Sequence, residues 1–208
     1  MPEKRPVYLL IFDGFADWEP ALAVAEINKS EKYKVATVGF EQCPVVSMGG
    51  LRIIPDILLE QMDYQECAMF ILPGGHMWEQ GMVNQVVASV SKFREKQVPI
   101  AGICGATLFL ANHGYLDNTP HTSNHIFYLK SWSETYRGDD YYKEGPCMSA
   151  NGIITASGAS ATEFAYEIIK ELKIYDESFL EKWYEAFKSG KIPMQYLVKP
   201  GYVIMEPA

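Results

Sequence analysis

Residues 99–111 read PIAGICGATLFLA. PIAGI is a short apolar run without polar alternation, the pattern of a strand buried on both faces. Residues 106–112 are helical in composition, and His113-Gly114 supplies the stop. A strand that passes into a helix through a single Cys-Gly pair is a unit of a parallel α/β sheet. The residue at such a corner occupies a tight turn, with its side chain lifted above the strand ends. Gly102 and Gly105 leave room around Cys104. At the N-terminus of the helix Cys104 would meet the positive end of the dipole, which favours the thiolate and predicts a lowered pKa. A plainer reading stands beside this one: a cysteine after a strand is also a small buried hydrophobe.

The same pattern recurs on either side. Residues 7–12 (VYLLIF), 33–40 (YKVATVGF) and 67–72 (CAMFIL) read as strands. Residues 21–27 read as a helix, as do 83–96 with Val83, Val86, Val87, Val90 and Phe93 in a stripe. Gly49-Gly50 between 45–48 and 51–54 predicts a hairpin, as does Asn151-Gly152 between 148–150 and 153–156. A further helix is expected over 160–172, with Ser160 as N-cap and Glu163 completing a capping box. Another is expected over 177–188, stopped by Gly190, with Phe179, Trp183, Tyr184 and Phe187 packing on the domain or on a second subunit. Past residue 115 the alternation loosens, and 118–125 is polar and turn-rich. The tail from Ile192, with Pro193, Pro200 and Pro207, is expected to run over the surface. Strands alternating with helices give a largely parallel sheet covered on both faces. One domain is expected over 1–208, with its core over about 7–172 and a C-terminal helix and tail over 173–208.

Composition narrows the function. The chain has 208 residues, 48% hydrophobic and 21% charged, an ordinary globular mix that excludes disorder, collagen and coiled coil. The net charge of −8 argues against nucleic acid and against anionic membrane surfaces, both of which need a basic face. No run of 18 apolar residues exists, so no transmembrane helix is expected. VYLLIF follows Lys4 and Arg5 but is cut by Asp13, so it reads as a strand rather than a signal peptide. A cytoplasmic location is expected. The four cysteines, at 43, 67, 104 and 147, include no CxxC pair, which excludes a zinc ribbon or thioredoxin motif. Cys43, Cys67 and Cys147 read as structural. His121 and His125 stand four apart without an acidic third ligand, so no metal is expected, and no cofactor motif is present. His113 reads as a helix C-cap.

Two further segments bear on Cys104. Leu72-Pro73-Gly74-Gly75 ends a strand with two glycines, whose amides are free to face an oxyanion. Gly75 and Gly105 are the candidate donors, although by spacing alone the segment reads first as a plain turn. In DGFADWE, residues 13–19, Glu19 falls at the start of the first helix. It either reaches the thiol of a neighbouring strand end or simply complements the helix N-terminus. His76 and Trp18, and with them Trp78, follow the strand-end loops and are candidate substrate contacts.

Taken together and in this order, LPGG, ICGAT and the SGAS-ATEFA segment at 157–165 resemble the ThiJ/PfpI superfamily, over about Val7 to Leu172. The fold of that family is similar to the class I glutamine amidotransferase domain. The resemblance implies a flavodoxin-like three-layer sandwich with a nucleophile elbow at Cys104. It further implies Glu19 as the carboxylic partner of the thiol, and Gly75 and Gly105 as oxyanion donors. Protease-like members carry a histidine directly after the cysteine, where this chain has Gly105. Others supply one from a Thr-Thr-His segment, which aligns with Thr122-Ser123-Asn124. Asn124 then takes the histidine position, and a one-residue slip would bring His125 there instead. The amidotransferase His-x-Glu is absent. The activity implied is a cysteine-dependent hydrolase of the intracellular protease or amidase kind, with a peptide or small-molecule substrate, working as a homodimer. The alternatives are a glyoxalase or deglycase acting on reactive aldehydes and a non-catalytic redox or stress sensor with an oxidisable Cys104.

Overall fold

A computed structural model describes residues 3–81 and 84–192 of the chain. In order, the elements are β1 (Arg5–Leu10), α1 (Trp18–Lys29), β2 (Tyr33–Gly39), β3 (Val45–Val46), β4 (Arg52–Ile53), β5 (Ile57–Leu58), β6 (Met69–Leu72) and α2 (Asn84–Glu95). There follow β7 (Ile100–Ile103), α3 (Gly105–Asn112), α4 (Ile126–Trp132), β8 (Cys147–Ala150), β9 (Ile153–Ala156), α5 (Ala161–Glu171) and α6 (Glu177–Ser189).

The apolar runs become the interior of the main sheet. Its strand order is β5-β2-β1-β6-β7-β9-β8. Every pairing is parallel except that of the edge strand β8, which runs antiparallel to β9. Every residue of β6, β7 and β9 is buried. Such strands need cover on both faces because their side chains alternate between them. Helices supply it on both sides, with α1 against α5, α6 against α5, and α2 and α3 against β7. Truncating a wholly buried member such as Ile71 to alanine would cost about 2–5 kcal/mol. The flavodoxin-like architecture expected from the sequence is therefore present. β1 lies between β2 and β6, so successive crossovers leave it in opposite directions. A cleft opens at the carboxyl ends of the strands beside such a switch point.

Both turn signals produce hairpins. β3 pairs antiparallel with β4, and β8 pairs with β9 across Asn151 and Gly152, whose φ values of 51° and 71° suit a type I′ turn. Other expectations are corrected. α1 begins at Trp18 rather than near residue 21, since Pro20 is tolerated in a first helical turn. This puts Glu19 inside the helix. The capping box at Ser160 does not form: its side chain makes no cap hydrogen bond, and Glu163 instead accepts from Lys188 and Tyr184 of α6. That contact, with Tyr166 of α5 donating to Glu181, packs α6 on the domain. α4 was not expected, because its seven residues carry no apolar stripe and leave Phe127 69% exposed. Cys43 is exposed rather than structural. Val83 and the tail beyond Ile192 lie outside the described residues.

Candidate active site

The carboxyl ends of β1, β6, β7 and β9, neighbours in the sheet, each deliver a residue to one point. Glu19 follows β1, Gly74 and Gly75 follow β6, Cys104 follows β7, and Gly158 follows β9. Cys104 has φ 57° and ψ −123°, a strained conformation for a side-chain-bearing residue, costing about 1–3 kcal/mol. Its backbone is anchored on both sides. Its N–H donates to the Ala156 carbonyl at 3.0 Å, and its carbonyl accepts from the Thr107 hydroxyl at 2.6 Å. The expected elbow is thus held by β9 and by the first turn of α3.

Glu19 is wholly buried. Its Oε2 accepts from the Gly74 N–H at 2.5 Å, and its Oε1 has no hydrogen-bond partner of normal geometry among the described residues. That free oxygen adjoins the thiol. A Cβ placed on Gly158 would stand 2.9 Å from Cys104 Sγ and 3.0 Å from Glu19 Oε1. A Cβ on Gly74 would stand 2.7 Å from both Cys104 Cβ and Glu19 Oε2. Glycine at 74 and 158 is therefore what lets carboxyl and thiol meet. Neither was singled out from the sequence, although both lie in the motifs that carried the resemblance. Gly75 and Gly105 adjoin one another, since a Cβ on Gly105 would come within 3.0 Å of the Gly75 carbonyl.

Burial dominates the electrostatics of the pair. It raises the Glu19 carboxyl from 4.5 to about 7, against the Gly74 N–H and the thiol, which favour the anion. It pushes the Cys104 thiol up to about 11, assisted by the Glu19 charge and opposed by the Asn124 amide and the Gly105 N–H. The lowered thiol pKa expected from the helix dipole is therefore corrected. Two unit charges roughly 4 Å apart repel by about 4 kcal/mol at an effective dielectric of about 20, whereas a helix end contributes about 0.3–1 kcal/mol. The pair loses one proton readily and the second only with difficulty, because the second leaves adjoining anions. The singly charged pair has two forms, carboxylate beside thiol and carboxylic acid beside thiolate. In the second form the remaining proton rests on the free Oε1, beside the sulfur.

Asn124, not His125, makes the contact with the sulfur. Its Nδ2 donates to Sγ at 3.4 Å, and its Oδ1 accepts from the Gly158 N–H at 2.9 Å, which fixes the amide orientation. The His125 ring is turned away to cap α4. Its Nδ1 accepts from the Phe127 N–H at 3.1 Å, and the ring stacks on Phe127. The slip that would create a Cys–His pair does not occur. His76 has a side chain 84% exposed, with Nδ1 4.0 Å from Glu79 Oε2. It lines a groove of about 880 Å³ with Phe12, Phe40, Val45 and Met48, beside the elbow but without Cys104 in its wall. Trp18 is half exposed at the head of α1. Trp78 is a core residue, its Nε1 donating to the Pro73 carbonyl at 2.7 Å. His113 closes α3 through its backbone N–H. His121 is buried, with Nδ1 on the Thr119 carbonyl and Nε2 on the Tyr136 hydroxyl, so both ring nitrogens are used. Among the described residues no group of three or more His, Cys, Asp or Glu could hold a metal ion. None of their helices is long and apolar enough to cross a membrane.

Known proteins share this arrangement of strands and loops. A profile of the DJ-1/PfpI family matches residues 5–171. The chain is 36% identical over 196 residues to an uncharacterized protease, YoaZ, of Bacillus subtilis strain 168, covering 91% of this chain and 93% of that protein. It is 30% identical over 118 residues to the deglycase TK1284 of Thermococcus kodakarensis, covering 56% of this chain and 70% of that one. Among solved structures, a thiJ/pfpI family protein from Bacillus anthracis superposes with a TM-score of 0.86 at 33% identity, over 94% of this chain and 95% of the other. By its sequence, its sheet order and the cysteine raised at the end of β7, the chain belongs to the DJ-1/PfpI family.

Proposed function

We propose that the protein is a cysteine-dependent hydrolase of the protease or amidase kind, with Cys104 as nucleophile. The observation that carries this reading is the strained Cys104 corner lying against a buried carboxyl with one oxygen free. The thiol proton passes to Glu19 Oε1, and the sulfur attacks a carbonyl carbon. The developing oxyanion is met by the backbone amides of Gly75 and Gly105. Collapse of the tetrahedral species expels the amine, which takes the proton from Glu19, and leaves a thioester on Cys104. Water then releases the acid. Asn124 keeps the sulfur in place through its amide. The name of the Bacillus subtilis relative supports the reading.

A second reading rests on the presence of Asn124 where a histidine would act as base. Attack on an aldehyde yields a hemithioacetal and needs only the proton that Glu19 holds, so deglycase-type chemistry suits the same residues. The relative named a deglycase points the same way. Intact-mass measurement after exposure to p-nitrophenyl acetate, to peptide esters and amides, and to methylglyoxal separates the two. The hydrolase reading expects an acyl adduct on Cys104 that turns over and is lost in Cys104→Ser. Turnover of methylglyoxal alone would favour the second reading, and full ester turnover by Cys104→Ser would refute the first.

A further inference from the structure

The groove beside the elbow takes no part in the chemistry described so far. Its walls are the segments that follow β1, β2 and β6, with Phe12, Phe40, Val45 and Met48 on its apolar side. β1 lies between β2 and β6, so the groove stands at the switch point of the sheet, where open α/β folds bind their ligands. Hydrogen bonds tie the β3–β4 hairpin to the loop after β1 and fix one wall. The Gly14 N–H donates to the Val46 carbonyl at 2.7 Å, and the Met48 N–H donates to the Phe15 carbonyl at 2.9 Å. The Val46 N–H in turn donates to Asp13 Oδ1 at 2.7 Å. A preformed groove of about 880 Å³ with a mostly apolar lining has the size and character of a small-ligand pocket.

The rim between groove and elbow is Gly74-Gly75-His76. A Cβ on Gly74 would meet Cys104 and Glu19. One on Gly75 would instead stand 2.6 Å from the Phe12 ring and 2.9 Å from the Gly14 carbonyl, and both of those residues line the groove. His76 lines it as well. Two residues of chain span at most about 7 Å, so a carbonyl held at the Gly75 amide reaches the groove through a short chain. The groove also has a sign. Its wall carries the carboxyls of Asp13 and Glu41 but, among the described residues, no lysine or arginine. Neither carboxyl forms an ion pair among the described residues. The one histidine, His76, has Glu79 Oε2 at 4.0 Å.

We propose that this groove is the pocket for the acyl side of the substrate, and that it selects an extended apolar chain whose far end is neutral or cationic. The proposal rests on the hydrolase reading and names a substrate class for it. With the carbonyl oxygen at the Gly75 and Gly105 amides, the chain on the carbonyl carbon crosses the rim and lies along Phe12, Phe40, Val45 and Met48. Asp13 and Glu41 then face its far end. A terminal carboxylate is repelled there and an ammonium is attracted. In a peptide the matching occupants are a long apolar side chain or a lysine, whose stem is apolar and whose head is charged.

The experiment measures kcat/KM of the full chain on four p-nitrophenyl esters: acetate, hexanoate, adipate with its free terminal carboxylate, and hexanoate bearing a terminal trimethylammonium. Intact mass reads the acyl group on Cys104, and iodoacetamide labelling of Cys104 reads the integrity of the elbow. Each buried methylene is worth about fourfold, so hexanoate should exceed acetate at least about tenfold. The trimethylammonium ester should match or exceed hexanoate, and adipate should fall at least about fivefold below it. Glu41→Lys should reverse the order of the two charged esters. Cys43→Trp, which fills the groove from an exposed position in its wall, should abolish the preference for hexanoate over acetate. Equal rates for acetate and hexanoate, with an acetyl adduct on Cys104, would overturn the proposal and leave the hydrolase reading standing. Preferences that neither variant moves would also overturn it, since the chain would then lie elsewhere. So would a wild-type dimer that Cys43→Trp makes monomeric, which would give the groove to a second copy. Labelling and all four rates falling together in both variants would mean a structural role and overturn it too. Absence of any acyl adduct in the wild type would sink the hydrolase reading itself, and the proposal with it.

Discussion

Replacing Glu19 by glutamine should make the protein more stable while removing its activity. The carboxyl titrates near 7 in the folded chain instead of 4.5, chiefly because it is buried. The folded state therefore holds a proton that the unfolded state gives up earlier. The cost to stability is absent below pH 4.5, grows as the pH rises between the two values, and is complete above about 7. At about 1.4 kcal/mol for each unit by which folded and unfolded values differ, it reaches about 3 kcal/mol. Glutamine carries no charge and fits the site. Its Oε1 can accept from the Gly74 N–H, as Glu19 Oε2 does, and its amide nitrogen then falls where Oε1 lacked a partner. Chemical denaturation should give a gain for Glu19→Gln of about 1 kcal/mol or less at pH 5 and of about 3 kcal/mol at pH 8. In a chain of this size that is about 6–12 °C in melting temperature. The thiol pKa should fall in the variant, since the carboxylate that helps to raise it is gone. A variant no more stable than wild type at pH 8, or a stability difference that does not change between pH 5 and 8, would show that burial does not raise the Glu19 carboxyl.

Further outcomes follow from single contacts. Gly158→Ala places a methyl 2.9 Å from Sγ and 3.0 Å from Glu19 Oε1; iodoacetamide labelling of Cys104 should slow at least about tenfold, and unchanged labelling would show that the thiol is approached from elsewhere. Asn124→Ala removes both the donor to Sγ and the acceptor for the Gly158 N–H, so the labelling midpoint of Cys104 should move to higher pH, because the amide favours the thiolate. Tyr136→Phe strips the partner from His121 Nε2 in a buried setting, which should cost about 1–3 kcal/mol by urea unfolding.

The strands were legible because burial on both faces forces unbroken apolar runs, as in VYLLIF and PIAGI, and the hairpins because Gly49-Gly50 and Asn151-Gly152 allow positive φ. Cys104 was legible as a corner for a local reason, a strand and a helix with one residue between them. The acidity of its thiol was not. That depends on a carboxyl brought from β1 and on how tightly the glycines after β6 and β9 close over it, and neither is written near Cys104. α4 escaped because a short helix whose Phe127 faces outward has no stripe to detect. The choice between Asn124 and His125 needed the backbone too: the helix cap claims the His125 ring, and the amide of Gly158 claims Asn124. Trp18 and Trp78 stand at like positions after their strands, yet one is half exposed and the other fills the core, a difference set by the loops around them.

The carbonyl that fixes the Cys104 amide belongs to Ala156, at the end of β9, some fifty residues further along the chain. During synthesis the sulfur thus leaves the ribosome well ahead of the segment that clamps its corner, and until then it is an ordinary thiol on a pliable chain. Nascent chains halted short of Ala156 would be alkylated at the pace of free cysteine, and the change in that pace as translation proceeds would time the closing of the sheet.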